Sequence, residues 1–199
     1  MKGSTATQVR ARLAATSPRS FVASTEVDGP VGAVEAELSR LVRRGEILRV
    51  RKGLYWKGPR TRLGVAAPDP EQVALHVAGR GAGPAGISAA HWLGLTTQVP
   101  GRPSVAVPGR APMPVPGVRF YSRAWKRREV GLTPTEVAAI EVLRDWPGTV
   151  EVDWTRLQVR LASLTESAQI RPDKIAEAVA SEHHPALRER WARVQTGLR

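Results

Sequence analysis

The sequence contains no cysteine, and it has few aromatic residues beyond its six tryptophans. The absence of cysteine excludes disulfide scaffolds, cysteine-ligated zinc sites, iron–sulfur clusters and thiol catalysis together. No apolar run approaches the roughly 18 residues that a membrane-spanning helix needs, and no apolar segment typical of a secretory signal follows the first methionine. We therefore expect a cytoplasmic protein without a membrane partner.

Acidic residues are scarce, since 30 lysines and arginines face 18 aspartates and glutamates, which gives a net charge of +12. Residues 1–60 carry 12 basic and 5 acidic side chains, and residues 61–131 carry 9 and 3. Residues 132–199 carry 9 and 10 and are close to neutral. A basic excess of this size suits nucleic acid, an anionic membrane or an acidic protein as partner. The distribution assigns such a partner to the first two thirds of the chain.

The first sixty residues have the patterns of helices followed by a hairpin. Helical periodicity is present over residues 4–15 and 31–44, and the apolar stripe of the second helix consists of Val31, Val34, Leu38, Leu41 and Val42. A short helix is predicted to open at residues 21–23 and to stop at the turn sequence of residues 28–30. Residues 47–56 then alternate like a hairpin with Gly53 in its turn. This order predicts a winged helix-turn-helix domain over residues 1–60.

In such a domain the helix after the turn enters the major groove, and the hairpin lies along the phosphate backbone. Small side chains on the helix allow close approach, while basic side chains reach base edges or phosphates. The predicted DNA-binding residues of this domain are Ala33, Ala36, Ser39, Arg40, Arg43, Arg44, Arg49, Arg51 and Lys52. Glu35 and Glu37 count against this prediction, because carboxylates repel the DNA backbone. The alternative is a small domain whose charged faces are solvated or contact another protein.

Three blocks of sequence resemble the AbiEi family, the antitoxins of bacterial type IV toxin–antitoxin operons. The first block, LSRLVRRGEILRVRKGLY at residues 38–55, resembles the winged-helix domain of that family. The second, ISAAHWLGLTTQVP at residues 87–100, is similar to the region that follows this domain. The third consists of VAVPGR at residues 105–110 and GVRF at residues 117–120.

The resemblance implies a repressor that binds inverted repeats in its own promoter through the winged helix. It also implies that the C-terminal domain counteracts a nucleotidyltransferase toxin, with direct contact left open. The last seventy residues match no motif of the family. The alternatives are a winged-helix transcriptional regulator without a toxin partner and a winged-helix protein with a nuclease domain.

The second part of the chain is predicted to be a mixed α/β domain over residues 70–199, preceded by a linker over residues 61–69. Residues 104–107 and 118–122 alternate like strands, and the glycine-rich residues 79–86 are predicted to form a flexible loop. The predicted helices cover residues 70–79, 88–93, 134–145, a segment capped by Asp153, 172–181 and 185–194, with Ser88 and Thr133 as further caps. The predicted fold class is therefore α+β, a winged helix-turn-helix followed by a mixed α/β domain that ends in helices.

A second basic cluster follows the second predicted strand of this domain. Trp125 precedes Lys126, Arg127 and Arg128, an arrangement that could anchor DNA phosphate at a strand end or form a solvated loop. We include these three cations in the predicted DNA-binding set.

No pattern of catalytic or metal-binding residues emerges. The four histidines lack ligand spacing, and Asp153, although close to Glu151, is explained as a helix cap. A nuclease would need such acidic residues with a nearby lysine, which is missing here. We predict no catalytic residue, metal or cofactor, and a protein that is not an enzyme.

Overall fold

Residues 4–197 are described in the computed structural model, and residues 1–3 and 198–199 of the two predicted domains lie outside the described part. The chain divides into two units, one that ends at Asp69 and one that begins at Pro70. Helices and three small sheets give an α+β fold. Between residues 4 and 197, no helix is long and apolar enough to cross a membrane.

The first unit is built from two helices and a three-stranded antiparallel sheet of order β1-β3-β2. Its elements are α1 (Thr5–Ala15), β1 (Ser20–Ala23), α2 (Val31–Arg43), β2 (Leu48–Arg51) and β3 (Leu54–Lys57). Leu38 and Leu41 of α2 share one hydrophobic core with Val9 of α1 and Tyr55 of β3. The order is a helix, a strand, a 3-10 turn, a second helix and a hairpin, and it differs from the predicted winged helix-turn-helix in the segment between the two helices.

Two local predictions for this unit are wrong. The segment 21–23 is a strand rather than a helix, because Phe21 and Val22 pair with Trp56 and Tyr55 of β3. The helical part shrinks to a single 3-10 turn at Ser24–Glu26. The segment 61–69 is not an open linker, since it contributes to a hairpin of β4 (Arg60–Thr61) and β5 (Gly64–Val65). The carbonyl of Ala66 accepts a 3.0 Å hydrogen bond from the Trp56 indole, which ties this segment to β3.

The second unit places a sheet of order β6-β7-β8 among several helices. Its strands are β6 (Gly83–Pro84), β7 (Ser104–Pro108) and β8 (Arg119–Arg123), of which β7 and β8 run parallel. Its helices are α3 (Pro70–Ala78), α4 (Ile87–Trp92), α5 (Lys126–Glu129), α6 (Pro134–Asp145), α7 (Trp154–Glu166), α8 (Pro172–Ala180) and α9 (Pro185–Gly197). Helix α6 is buried along most of its length and contributes heavily to the main core.

The predicted caps at Thr133 and Asp153 are confirmed, whereas the glycine-rich segment and Ser88 differ from prediction. Residues 81–85 are buried and include β6, so this segment is not a flexible loop. A Cβ at Gly83 would lie 2.5 Å from the Val137 side chain, so only glycine fits beside α6 there. Ser88 does not cap α4, which starts at Ile87, and its hydroxyl instead accepts a 3.0 Å hydrogen bond from the backbone of Ser104.

A buried ionic network joins β8, α5, α6 and the turn after α8. The Glu141 carboxylate on α6 accepts hydrogen bonds from Arg123 at 2.7–3.1 Å and lies 2.7 Å from Nη1 of Arg127. Nε of Arg127 donates to Glu182 at 2.6 Å, and Arg144 donates to the other oxygen of Glu182. Arg127 and Glu141 are both inaccessible to solvent. Buried charges of this kind are tolerated only when each is paired and hydrogen-bonded.

A second buried carboxylate closes the N-terminal end of α6. Glu136 accepts a 2.7 Å hydrogen bond from the Thr133 backbone in a capping box and two more from the Arg171 guanidinium at 2.7 and 2.8 Å. Burial alone would raise the pKa of Glu136, but these donors hold the pKa below its usual range. Burial likewise opposes ionisation of Glu141, and hydrogen bonds and charge from Arg123 and Arg127 keep its pKa low.

We expect Glu141→Gln to lower the free energy of unfolding of the protein by about 3–5 kcal/mol, because Arg127 and Arg123 would lose their shared counter-charge in a buried site. Chemical denaturation of full-length protein measures this difference. Glu129→Gln is the matched control, because Glu129 is exposed and pairs only at 3.5 Å with Lys126. Equal stability of Glu141→Gln and the wild type would show that the network is not required.

We expect the protein to lose stability as the pH falls below about 4.3, the ordinary glutamate value. The folded-state pKa values of Glu136 and Glu141 lie below that value, so their stabilisation is complete above it and disappears as the pH falls through the folded values. Burial and the Glu141 charge raise the pKa of Asp145, which offsets part of this loss. Urea denaturation at pH 3 to 7 measures the effect, and Glu141→Gln is expected to flatten the profile.

Candidate nucleic-acid interface

Helix α2 turns one face to the core and the opposite face to solvent. Val34, Leu38 and Leu41 are buried, as the periodicity predicts. The residues predicted to face DNA are exposed or half-buried: Ala33, Ala36, Ser39, Arg40, Arg43 and, just beyond the helix, Arg44. Val31, the first residue of α2, is exposed, contrary to its predicted place in the apolar stripe.

The sequence predicts that Glu37 repels the DNA backbone, but in the structure this side chain is buried. It is 4% exposed, and its carboxylate lies 2.5 Å from Nη1 of Arg40 and 3.8 Å from Nε of Arg10 on α1. The Arg40 side chain remains 55% exposed, so it keeps access to solvent beyond this contact. Glu37 therefore adds no exposed negative charge to α2 and instead holds Arg40 in position. The pairing of Glu37 with Arg40 can be predicted from the sequence, because the two residues lie three positions apart on a helix. The burial of the Glu37 carboxylate cannot be predicted from this spacing.

The hairpin of β2 and β3 forms the wing, and β2 is an edge strand of the sheet. Arg49 and Arg51 on β2 are exposed, while the alternate residues Leu48 and Val50 are partly buried. Lys52 is exposed in the turn, where Gly53 has φ +73°, a conformation that favours glycine. Within residues 4–197, Arg43, Arg44, Arg49, Arg51 and Lys52 form no salt bridge, so their charges are available to a polyanion.

The cations of the second predicted basic cluster bind to other groups of the protein itself. Arg127 is 0% exposed and bonded to Glu141 and Glu182, so its prediction as a DNA-binding residue is wrong. Lys126 pairs with Glu177 at 3.0 Å, and the guanidinium of Arg128 donates to the carbonyls of Ala78 and Arg80. Apart from Glu129, which lies 3.5 Å from Lys126, the partners of these cations lie far away in the sequence, so the run of basic residues does not indicate them. Trp125 is exposed and stacks with Arg128, its centroid 4.7 Å from the guanidinium carbon.

The acidic residues considered for nuclease chemistry have structural partners. Asp153 accepts a 2.8 Å hydrogen bond from the backbone of Arg156, as a helix cap does. Glu151 accepts hydrogen bonds from Thr97 and Gln98 at 2.7–3.1 Å. These donors lower the pKa of Glu151, so it is a poor candidate for a general base near neutral pH. In the described part of the chain, no group of three histidine, aspartate or glutamate side chains is placed to hold a metal ion.

Comparisons with known proteins identify no family for this chain. No protein-family model and no curated protein matches the chain. Among solved structures, the chain is similar to the RV2827C protein from Mycobacterium tuberculosis, with 20% identity and a TM-score of 0.49. The match covers 97% of this chain and 80% of that one. A similarity at this level carries no argument about function.

We expect Arg49→Ala to weaken binding of the protein to promoter DNA and to reduce the slope of log K against log salt by about one, as the loss of one phosphate contact would. Lys126→Ala removes the same charge from the second cluster and is expected to leave both quantities unchanged, because Lys126 is paired with Glu177. Fluorescence anisotropy over a salt series measures both. An equal loss of DNA affinity in Arg49→Ala and Lys126→Ala would contradict the assignment of DNA contacts to the wing.

Proposed function

We propose that the protein is the DNA-binding antitoxin of a type IV toxin–antitoxin system, which represses its own operon and counteracts a nucleotidyltransferase toxin in the cytoplasm. The observation that carries the DNA-binding part is the exposed face of α2. This face combines the small residues Ala33 and Ala36 with Arg40 and Arg43, while the nearby carboxylate of Glu37 is buried. The small side chains permit close approach of the helix to a DNA groove, and the arginines supply hydrogen-bond donors to the bases or phosphates.

In this proposal α2 lies in the major groove, where the small side chains allow the helix backbone to approach the base edges. Arg40, already held by Glu37, donates its remaining N–H groups to a base or phosphate, and Arg43 and Arg44 contact the adjoining backbone. The wing residues Arg49, Arg51 and Lys52 neutralise phosphates and release counterions. An inverted repeat presents two equivalent half-sites, so two copies of the chain would occupy one operator.

The antitoxin part of the proposal is supported by the resemblance to the AbiEi family. The first matching block covers much of α2 and the wing, the second covers α4 and the segment after it, and the third lies on β7, β8 and their connection. The matching blocks therefore fall in both units of the chain. The partners expected from this proposal are promoter DNA with inverted repeats and a cognate toxin.

We expect Ala36→Glu to weaken operator binding at least about tenfold, because it places a carboxylate on the face that approaches DNA phosphates. Ala36 is exposed, so thermal stability is expected to stay unchanged. Ala67→Glu adds the same charge at an exposed position of the first unit outside α2 and the wing, and is expected to bind normally. Unimpaired operator binding by Ala36→Glu would contradict docking through α2.

Growth rescue separates the antitoxin activity from DNA binding. The proposal requires a nucleotidyltransferase toxin encoded beside this protein. In cells that express that toxin, we expect full-length wild type and Ala36→Glu to restore growth equally, while only the wild type represses a promoter reporter. Repression without rescue would instead support the alternative of a regulator without a toxin partner.

A further inference from the structure

A cleft of about 540 Å³ lies in the second unit, outside the proposed DNA interface. It opens where the parallel strands β7 and β8 end: Gly109 and Arg110 follow β7, and Arg123 is the last residue of β8. Arg144 of α6 and His183 from the turn between α8 and α9 complete the basic lining. In α/β sheets, ligands bind beyond the carboxyl ends of parallel strands, which is where this cleft lies. Its volume is in the range of small-molecule sites.

The lining of the cleft is basic in composition. Arg110, Arg123 and Arg144 line the cleft, and Glu182 is the carboxylate among its lining residues. Both oxygens of Glu182 already accept hydrogen bonds, one from Arg127 and one from Arg144. Behind the cleft, the three guanidinium groups of the ionic network face Glu141 and Glu182, and Asp145 adds a third carboxylate that interacts with Arg123 and Arg144. The network is therefore close to neutral, and the uncompensated cation of the lining is Arg110.

Two arginines of the lining have hydrogen-bond donors without a partner in the described residues, one exposed and one buried. The exposed side chain of Arg110 makes no hydrogen bond or salt bridge with any residue between 4 and 197. Nε of Arg144 is buried 3.7 Å from Glu141 and has no hydrogen-bond partner in the same part of the chain. Burial lowers the pKa of Arg144, and the neighbouring Arg123 and Arg127 act in the same direction, although Glu182 and Glu141 oppose them.

We propose that this cleft binds a small ligand that carries a phosphate group. A phosphate carries about −1.5 to −2 charges at neutral pH and can therefore pair with the uncompensated charge of Arg110. The fork of an arginine side chain pairs with two phosphate oxygens at once, and Arg110 has its whole guanidinium free to do so. His183 is exposed at the rim, where it can donate a further hydrogen bond. This site is independent of the proposed antitoxin function.

The test uses full-length protein titrated by calorimetry with inorganic phosphate and with glycerol phosphate, at constant ionic strength. We expect saturable binding that Arg110→Ala weakens at least about tenfold. Arg110 makes no hydrogen bond or salt bridge to the described residues, so this variant is expected to fold normally, as circular dichroism can verify. Arg188→Ala removes an exposed arginine of α9 that does not line the cleft and is expected to bind like the wild type.

Tighter binding of glycerol phosphate than of inorganic phosphate would assign the cleft to a phosphate ester, and the reverse order would assign it to free phosphate. Either order supports the proposal. Equal weakening by Arg110→Ala and Arg188→Ala would mean that phosphate only screens surface charge, and that result would overturn it. Displacement of bound phosphate by duplex DNA would also overturn it, because the cleft would then belong to a nucleic-acid surface.

Discussion

The second unit depends on one buried carboxylate. Glu141 sits on α6, a helix buried along most of its length, and it is the shared partner of Arg123 from β8 and Arg127 from α5. A carboxylate without these cations would be protonated or expelled from such a site, and the cations without it would carry a large desolvation cost. The network therefore fixes the packing of the end of β8 and of α5 against α6. It also sets the lining of the cleft beyond the strand ends.

The local signals of the sequence located most helices of both units. The Thr133 capping box, the Asp153 cap and the periodicity of α2 each depend on residues within one or two helical turns, and each is confirmed. The errors have a common physical origin, which is contact with distant parts of the chain. Segment 21–23 becomes a strand because β3 pairs with it. The glycine-rich segment becomes ordered because Gly83 packs against α6.

The candidate nucleic-acid interface likewise has features that local sequence predicts and features that depend on distant contacts. The amphipathic period decides which face of α2 is exposed, and strand alternation decides that Arg49 and Arg51 face solvent, so these features could be predicted. The burial of Glu37 could not, because it depends on how α1 brings Arg10 to α2. The burial of Arg127 could not be predicted either, since its partners Glu141 and Glu182 become neighbours only through the fold. A run of three basic residues is therefore ambiguous until its carboxylate partners are located.

Net charge alone consequently gives a poor account of where a polyanion can bind. Residues 61–131 carry 9 basic and 3 acidic side chains, an excess similar to that of the first sixty residues. In that middle part, Arg123 and Arg127 neutralise carboxylates on α6 and after α8, whereas Arg49 and Arg51 of the wing pair with none in the described residues. Counterion release depends on exposed, unpaired cations rather than on the total. The salt dependence of the proposed DNA binding is therefore expected to arise from the unpaired cations of α2 and the wing, and Arg123 and Arg127 are expected to contribute nothing to it.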